Sequence, residues 1–165
     1  MLQGRGPATP PVLTDAGLRG AVVIVTGGGS GIGAATARQL GSVDAPVVLA
    51  GRREGPLNEV AAQITAAGGE ALCVLADLAD PDSPRRITDA CLARYGRIDG
   101  LVNNAAVVRH MPLAEWDTGC FDEHVATNIR APFFLSQAAR PALRESPVRS
   151  VVNIGSSSGT LRRVG

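Results

Sequence analysis

The sequence predicts an α/β fold in which a parallel sheet is doubly wound, with helices on both faces, and three observations carry that expectation. Five short, valine-rich apolar runs recur along the chain; the longer stretches between them repeat apolar residues every three or four positions; a glycine-rich turn joins the first run to the first helical stretch. The runs are Ala21 to Thr26, Pro46 to Ala50, Ala71 to Ala76, Ile98 to Asn103 and Ser150 to Ile154. Each is nearly continuous in hydrophobicity, as strands buried on both faces are.

The first nineteen residues carry Gly4, Gly6, Pro7, Pro10 and Pro11 without an apolar period and read as a mobile arm, leaving 20–165 as the folded domain. After the first strand an alanine-rich helix runs to Leu40 and Gly41, and small residues at Ala34, Ala35 and Ala37 let it lie close to the sheet. In the second helical stretch Leu57, Val60, Ala61 and Ile64 share a face, and Gly68 and Gly69 supply the left-handed residue that ends it. The third opens at Asp82-Ser83-Pro84, a cap followed by proline, and carries Ile87, Ala90, Cys91 and Arg94. From Glu115 to Leu143 the pattern predicts a long helix with Phe121, Val125 and Ile129 on one stripe, bent near Pro132 and Pro141. Right-handed crossovers through these helices make the five strands parallel.

Composition narrows the classes of function. At 165 residues, 45% hydrophobic and 19% charged, the chain is expected to form one soluble domain. Its longest wholly apolar run, Ala21 to Val25, is too short to span a bilayer, and no basic segment leads into an apolar stretch near Met1. The expected compartment is therefore the cytoplasm, with no membrane partner. A net charge of +1 and 3% aromatic residues offer neither a basic field nor a stacking platform, so nucleic acid is not expected as a partner. Cys73, Cys91 and Cys120 have no metal-ligand spacing and read as buried thiols, and His110 and His124 lack a second ligand or nucleophile nearby; no metal site is expected. Trp116 reads as packing at a helix start and the Arg85-Arg86 pair as a solvated helix face. Every basic residue is an arginine; lysine is absent.

The turn reads Thr26-Gly27-Gly28-Gly29-Ser30-Gly31-Ile32-Gly33. Glycines let the backbone turn sharply and approach a pyrophosphate, while the free amides and dipole of a helix N-terminus offer about half a positive charge to the anion. Glycine turns also simply close loops, but the strand before this one and the helix after it favour an anion seat. About twenty residues on, the second strand ends in Gly51-Arg52-Arg53-Glu54. With no carboxylate at the strand tip and two guanidiniums beside it, the site is expected to favour NADP(H) over NAD(H). The competing reading is that Arg52 and Arg53 are solvated, or that Glu54 neutralises one.

The spacing T-G-x-x-x-G-I-G, met by Thr26, Gly27, Gly31, Ile32 and Gly33, resembles the short-chain dehydrogenase/reductase family. Asp77-Leu78, Asn103-Asn104-Ala105-Ala106, Asn128 and Val151-Val152-Asn153-Ile154-Gly155-Ser156 follow in register, so the resemblance runs from about Gly20 to the end. Ala106 stands where the family more often has glycine. The resemblance implies a Rossmann-like fold and a cofactor site at Thr26, Gly27, Ser30, Gly31, Ile32, Gly33, Arg52, Arg53, Asp77, Leu78, Asn104, Ala105 and Ala106. Within it Asp77 meets the adenine, and the backbone at Asn104 and Ala105 lines the ribose. Read without the resemblance, Asp77 starts a turn and the paired asparagines end a strand.

Relatives move a hydride between nicotinamide and a carbonyl or alcohol carbon, using a tyrosine as general acid/base, a lysine that lowers its pKa, a serine on the substrate oxygen and an asparagine supporting a proton path. Ser156 matches the serine, with Ser157 and Ser158 as close rivals, and Asn128 matches the asparagine. The Y-x-x-x-K pair is not in this sequence; the single tyrosine, Tyr95, matches a packing position. The expectation is an incomplete cofactor-binding domain, without the family's C-terminal strands, that binds cofactor better than it catalyses. The intact protein would act on a small carbonyl or alcohol as a homodimer or homotetramer. The alternatives are a non-catalytic module that senses NADP(H), and a structural role through the long helix.

Overall fold

The computed structural model describes residues 17–156. The chain runs β1 (Val23–Thr26), α1 (Gly31–Gly41), β2 (Val47–Gly51), α2 (Glu54–Ala66), β3 (Ala71–Leu75), α3 (Ser83–Tyr95), β4 (Gly100–Asn103), a 3-10 turn (Leu113–Glu115), α4 (Thr118–Val125), a π-helical turn (Ala126–Arg130), α5 (Ala131–Glu145) and β5 (Ser150–Asn153). The strands form one sheet in the order β3-β2-β1-β4-β5. Every neighbouring pair is parallel. Because β2 and β3 extend to one side of β1 and β4 and β5 to the other, the carboxyl ends of the strands open a crevice between β1 and β4.

Alternation along each strand sends side chains to two cores. Val23, Val25, Val47 and Leu49 meet Ala37 and Leu40 of α1 and Leu57 and Ile64 of α2. Ile24, Val48, Val74 and Leu101 meet Ile87 and Cys91 of α3 and Leu135 and Ala139 of α5. Burial on both faces is why β1, β2 and β4 read as continuous apolar runs. β5 differs, with Val151 and Val152 at 42% and 44% exposure. It is, with β3, one of the two edge strands, with a neighbour on one side only among the described residues. At the amino ends of the strands, buried Asp99 accepts from the Val22 amide at 2.8 Å and twice from Arg97 at 2.7 Å, tying β1 to the start of β4.

Several local expectations change. Ala34 and Ala37 are buried against the sheet, but Ala35 points outward, a third of a turn away. Asp82 makes no side-chain cap; instead Ser83 Oγ donates to the Asp77 carbonyl at 2.6 Å, with Pro84 in the first turn of α3. Of the thiols, Cys91 is buried, whereas Cys73 and Cys120 are only half-buried. The long helix is continuous from Thr118 to Glu145, but its α pattern gives way to a π-helical turn at Ala126–Arg130, ahead of Pro132, which sits harmlessly in the first turn of α5. Phe121 and Ile129 face solvent, while the buried stripe is Ala131, Leu135, Ala139 and Leu143. The extra residue of a π turn rotates what precedes it, so no single 3.6-residue period links the two halves.

Gly17–Gly20 form a turn, in which Leu18 packs on the α1–α2 core and Gly20 N–H donates to the Asp44 carbonyl. The expected arm otherwise lies outside the described residues, as do Ser157 and Ser158. No helix among the described residues is long and apolar enough to cross a membrane.

Candidate functional site

Two tight turns meet at the crevice. Thr26, 1% exposed at the end of β1, accepts through Oγ1 from the Asn104 and Ala105 amides, each at 3.0 Å, and donates to the Val102 carbonyl at 3.4 Å. One proton and two lone pairs are thereby satisfied inside the protein. Asn104 returns the link, its Nδ2 donating to the Thr26 carbonyl at 2.9 Å. These bonds lock the loop after β4 onto the glycine turn.

The glycine turn itself is shaped by contact and by openness. A Cβ on Gly33 would lie 2.4 Å from the Gly27 carbonyl oxygen and 2.5 Å from Asn104 Nδ2, so only glycine lets α1 start this close. Gly31 has φ +53° and no heavy atom within 4 Å of where a Cβ would stand. Its backbone therefore faces open space at the first turn of α1, whose leading amides have no intrahelical acceptor. Ser30 precedes them without capping through its side chain. Its Oγ instead accepts from Arg53 Nη2 at 3.2 Å.

A cleft of about 300 Å³ opens between these turns, at the lower end of the range for small-molecule sites and suited to one nucleotide half of a dinucleotide. Gly27, Ser30, Arg52, Arg53, Asp77, Leu78, Asn104, Ala105 and Ala106, all expected as cofactor-site residues, line it. Gly51, Ala76, Val107 and Thr127 line it too and carried no motif signal beforehand. Asp77 does begin a turn, accepting from the Ala79 amide at 3.0 Å, while remaining on the cleft wall. Thr26 lies beneath the cleft, and Gly31, Ile32 and Gly33 lie at the start of α1 outside its lining. Guanidiniums, helix-start amides and an open glycine backbone suit a phosphorylated nucleotide, so these residues fit a nicotinamide dinucleotide.

Asn128 and Ser156 also lie outside this lining. Asn128 sits in the π-helical turn, where Oδ1 accepts from the Val107 amide at 2.9 Å and Nδ2 donates to the Val107 carbonyl at 2.8 Å. Both ends of its amide thus clamp the loop after β4. Ser156 follows β5 and is exposed. Tyr95 ends α3, its ring packed on the core and under Arg94; burial first of all pushes its phenol above the ordinary value, the opposite of what a base requires.

Two charged residues beside the site escaped sequence reasoning. Glu123 on α4 accepts from Arg109 Nη2 at 2.6 Å through Oε2, and its Oε1 lies 3.7 Å from Arg52 Nη1. The Arg109 hydrogen bond holds the Glu123 carboxyl below its usual value, with the charges of Arg109 and Arg52 adding to it. No spacing marks this cluster, since its members come from three separate segments.

The family model for short chain dehydrogenases matches residues 21–165. A short chain dehydrogenase of Pseudocercospora fijiensis is 33% identical over 156 residues, covering 93% of this chain and 50% of that protein. An uncharacterized oxidoreductase of Mycobacterium tuberculosis is 36% identical over 141 residues, covering 85% of this chain and 54% of that protein. The chain thus spans about half the length of these curated relatives. A metagenomic short-chain oxidoreductase solved in complex with NADP superposes with a TM-score of 0.83 at 40% identity, over 88% of this chain and 66% of that one.

Proposed function

The chain belongs to the short-chain dehydrogenase family of oxidoreductases, and from that premise we propose that it binds NADP(H) in preference to NAD(H). The intact protein then moves a hydride between that cofactor and a small carbonyl or alcohol. The observation that carries the preference is the pair of arginines at the tip of β2. Arg53 leans on Ser30 of the glycine turn and Arg52 stands beside it, both on the cleft wall. A 2′-phosphate there gains a charge-assisted hydrogen bond of about 1.5–3 kcal/mol, a preference on the order of tenfold to a hundredfold.

In this reading the amides of Gly31, Ile32 and Gly33 hold the diphosphate, Asp77 and Leu78 flank the adenine, and the Asn104-Ala105-Ala106 backbone flanks the ribose. Bound cofactor supplies the hydride acceptor or donor. Ser156 holds the substrate oxygen, and Asn128 keeps the loop after β4 against the π-helical turn. With Tyr95 as its one tyrosine and no lysine, the 165-residue chain binds cofactor without measurable turnover. The outward-facing Phe121, Ile129, Phe133 and Phe134 support self-association of the intact protein as a homodimer or homotetramer.

Calorimetric titration of the chain with NADP+ and with NAD+ tests the preference. We expect tighter NADP+ binding, weakened on the order of tenfold by Arg53→Gln with little change for NAD+. Equal affinities for the two cofactors refute it.

A further inference from the structure

The two arginines at the β2 tip are not equivalent. Arg53 is turned toward Ser30 and the glycine turn. Arg52 is turned the other way, toward α4, where Glu123 Oε1 lies 3.7 Å from its Nη1. That distance is beyond a hydrogen bond, and the Arg52 side chain is 56% exposed, so the pair is loose and easily exchanged for another anion. The other oxygen of Glu123 is held tightly, by Arg109 at 2.6 Å. Arg109 belongs to the loop between β4 and α4. One carboxylate therefore bridges the β2 tip and that loop from the edge of the cleft.

We propose that Glu123 is a specificity-determining residue that tempers the grip of this site on a 2′-phosphorylated adenosine, and that Arg109 tunes it by drawing Glu123 away from Arg52. The proposal rests on the NADP(H) reading above. A phosphate dianion arriving at Arg52 and Arg53 must take Arg52 from Glu123 and then sits near that carboxylate's charge. A ligand with a free 2′-hydroxyl meets neither demand. Glu123 thus penalises the phosphorylated cofactor selectively, while Arg109 offsets part of the penalty by neutralising the carboxylate. Without Arg109 the one arginine left within 4 Å of the carboxylate among the described residues is Arg52, and the penalty grows.

The two substitutions must therefore act in opposite directions, which a merely structural contact does not produce. Titrating the full chain with NADP+ and with NAD+ gives the ratio of their affinities. Glu123→Gln is expected to raise the NADP+ preference by about twofold to tenfold at low ionic strength, the gain shrinking as salt is added. Arg109→Gln is expected to lower the preference by about twofold to fivefold, and the double variant to behave as Glu123→Gln alone. Arg109 is exposed and Glu123 half-buried, and should Glu123→Gln not fold, Arg109→Gln alone must still lower the preference. A preference that stays unchanged, or that moves the same way in both variants, overturns the proposal. If the unsubstituted chain favours NADP+ and Arg53→Gln weakens that binding while Glu123→Gln does not alter the preference, the NADP(H) reading stands and the role of Glu123 falls. If the unsubstituted chain binds both cofactors equally or neither, both fall together.

Discussion

Replacing Thr26 by valine isolates the hydrogen bonds that hold the two turns of the crevice together. Valine keeps the shape and puts a methyl where the hydroxyl stood, so no cavity opens. The Asn104 and Ala105 amides each lose an acceptor at 3.0 Å, and the Val102 carbonyl loses a donor at 3.4 Å. An amide left unpaired in the interior costs about 1–3 kcal/mol. Asn104 and Ala105 are half-buried, so water recovers part of this, and the pair together should cost about 2–4 kcal/mol. For a domain of this size that lowers Tm by about 6–14 °C. Thr26→Ser keeps the hydroxyl and loses one methyl, costing about 1 kcal/mol. Urea denaturation of the three proteins measures the differences, and NADP+ titration shows whether the loosened turns still bind. A valine variant within about 0.5 kcal/mol of the parent, or a serine variant as damaged as the valine one, refutes the reasoning.

Gly33→Ala puts a Cβ 2.4 Å from the Gly27 carbonyl oxygen, so α1 must withdraw at a cost of about 1–3 kcal/mol or more, read as an earlier denaturation midpoint. Gly31→Ala meets open space at φ +53°, and should cost only about 1 kcal/mol while weakening nucleotide binding in the same titration. Burial alone would raise the Asp99 carboxyl, but hydrogen bonds from Arg97, Ser146 and Val22 hold it below the ordinary value. Its contribution is therefore full above the unfolded aspartate value of about 3.9 and lost as pH falls through the lower folded one, so Asp99→Asn should flatten the acid limb of the stability profile. Asn128→Asp sets a carboxylate against the Val107 carbonyl, where Nδ2 donated at 2.8 Å. Its folded pKa rises above the unfolded value, so the deficit against the parent should be largest at neutral pH and shrink as the acid protonates, visible as converging melting temperatures.

Where one period governs a whole element, the sequence was a sufficient guide. The valine runs became the strands, those of β1, β2 and β4 buried on both faces, and Leu57, Val60 and Ile64 share one buried face of α2. The glycine turn was legible because a strand, a helix start and close packing all constrain the same few residues. Reading failed where geometry changes mid-element. Phe121, Val125 and Ile129 were expected to share one stripe of a single helix, yet the π-helical turn at Ala126–Arg130 interrupts that period, and Phe121 and Ile129 are exposed. Long-range charge was equally hidden. Arg52 was legible as a cation at a strand tip, but Glu123 and Arg109 come from segments 71 and 57 residues away, and no local pattern brings them together.

The crevice divides its residues by what their polar atoms already do. Thr26, Asn104 and Asn128 bind backbone atoms of neighbouring segments, so they fix where the loops stand. In the proposed reading, recognition of the cofactor falls to groups with capacity left over, chiefly the leading amides of α1 and the guanidiniums at the β2 tip. Those two sets differ in what alteration costs. An interior hydroxyl with three partners is expensive to change, at about 2–4 kcal/mol, while an exposed ion pair contributes about 0–1 kcal/mol. Cofactor preference in such a site can therefore shift by a charge at position 52, 53, 109 or 123 without unsettling the fold. In the proposed reading the same shift does not come from Thr26 or Gly33, because altering either moves the glycine turn on which the diphosphate contacts would depend.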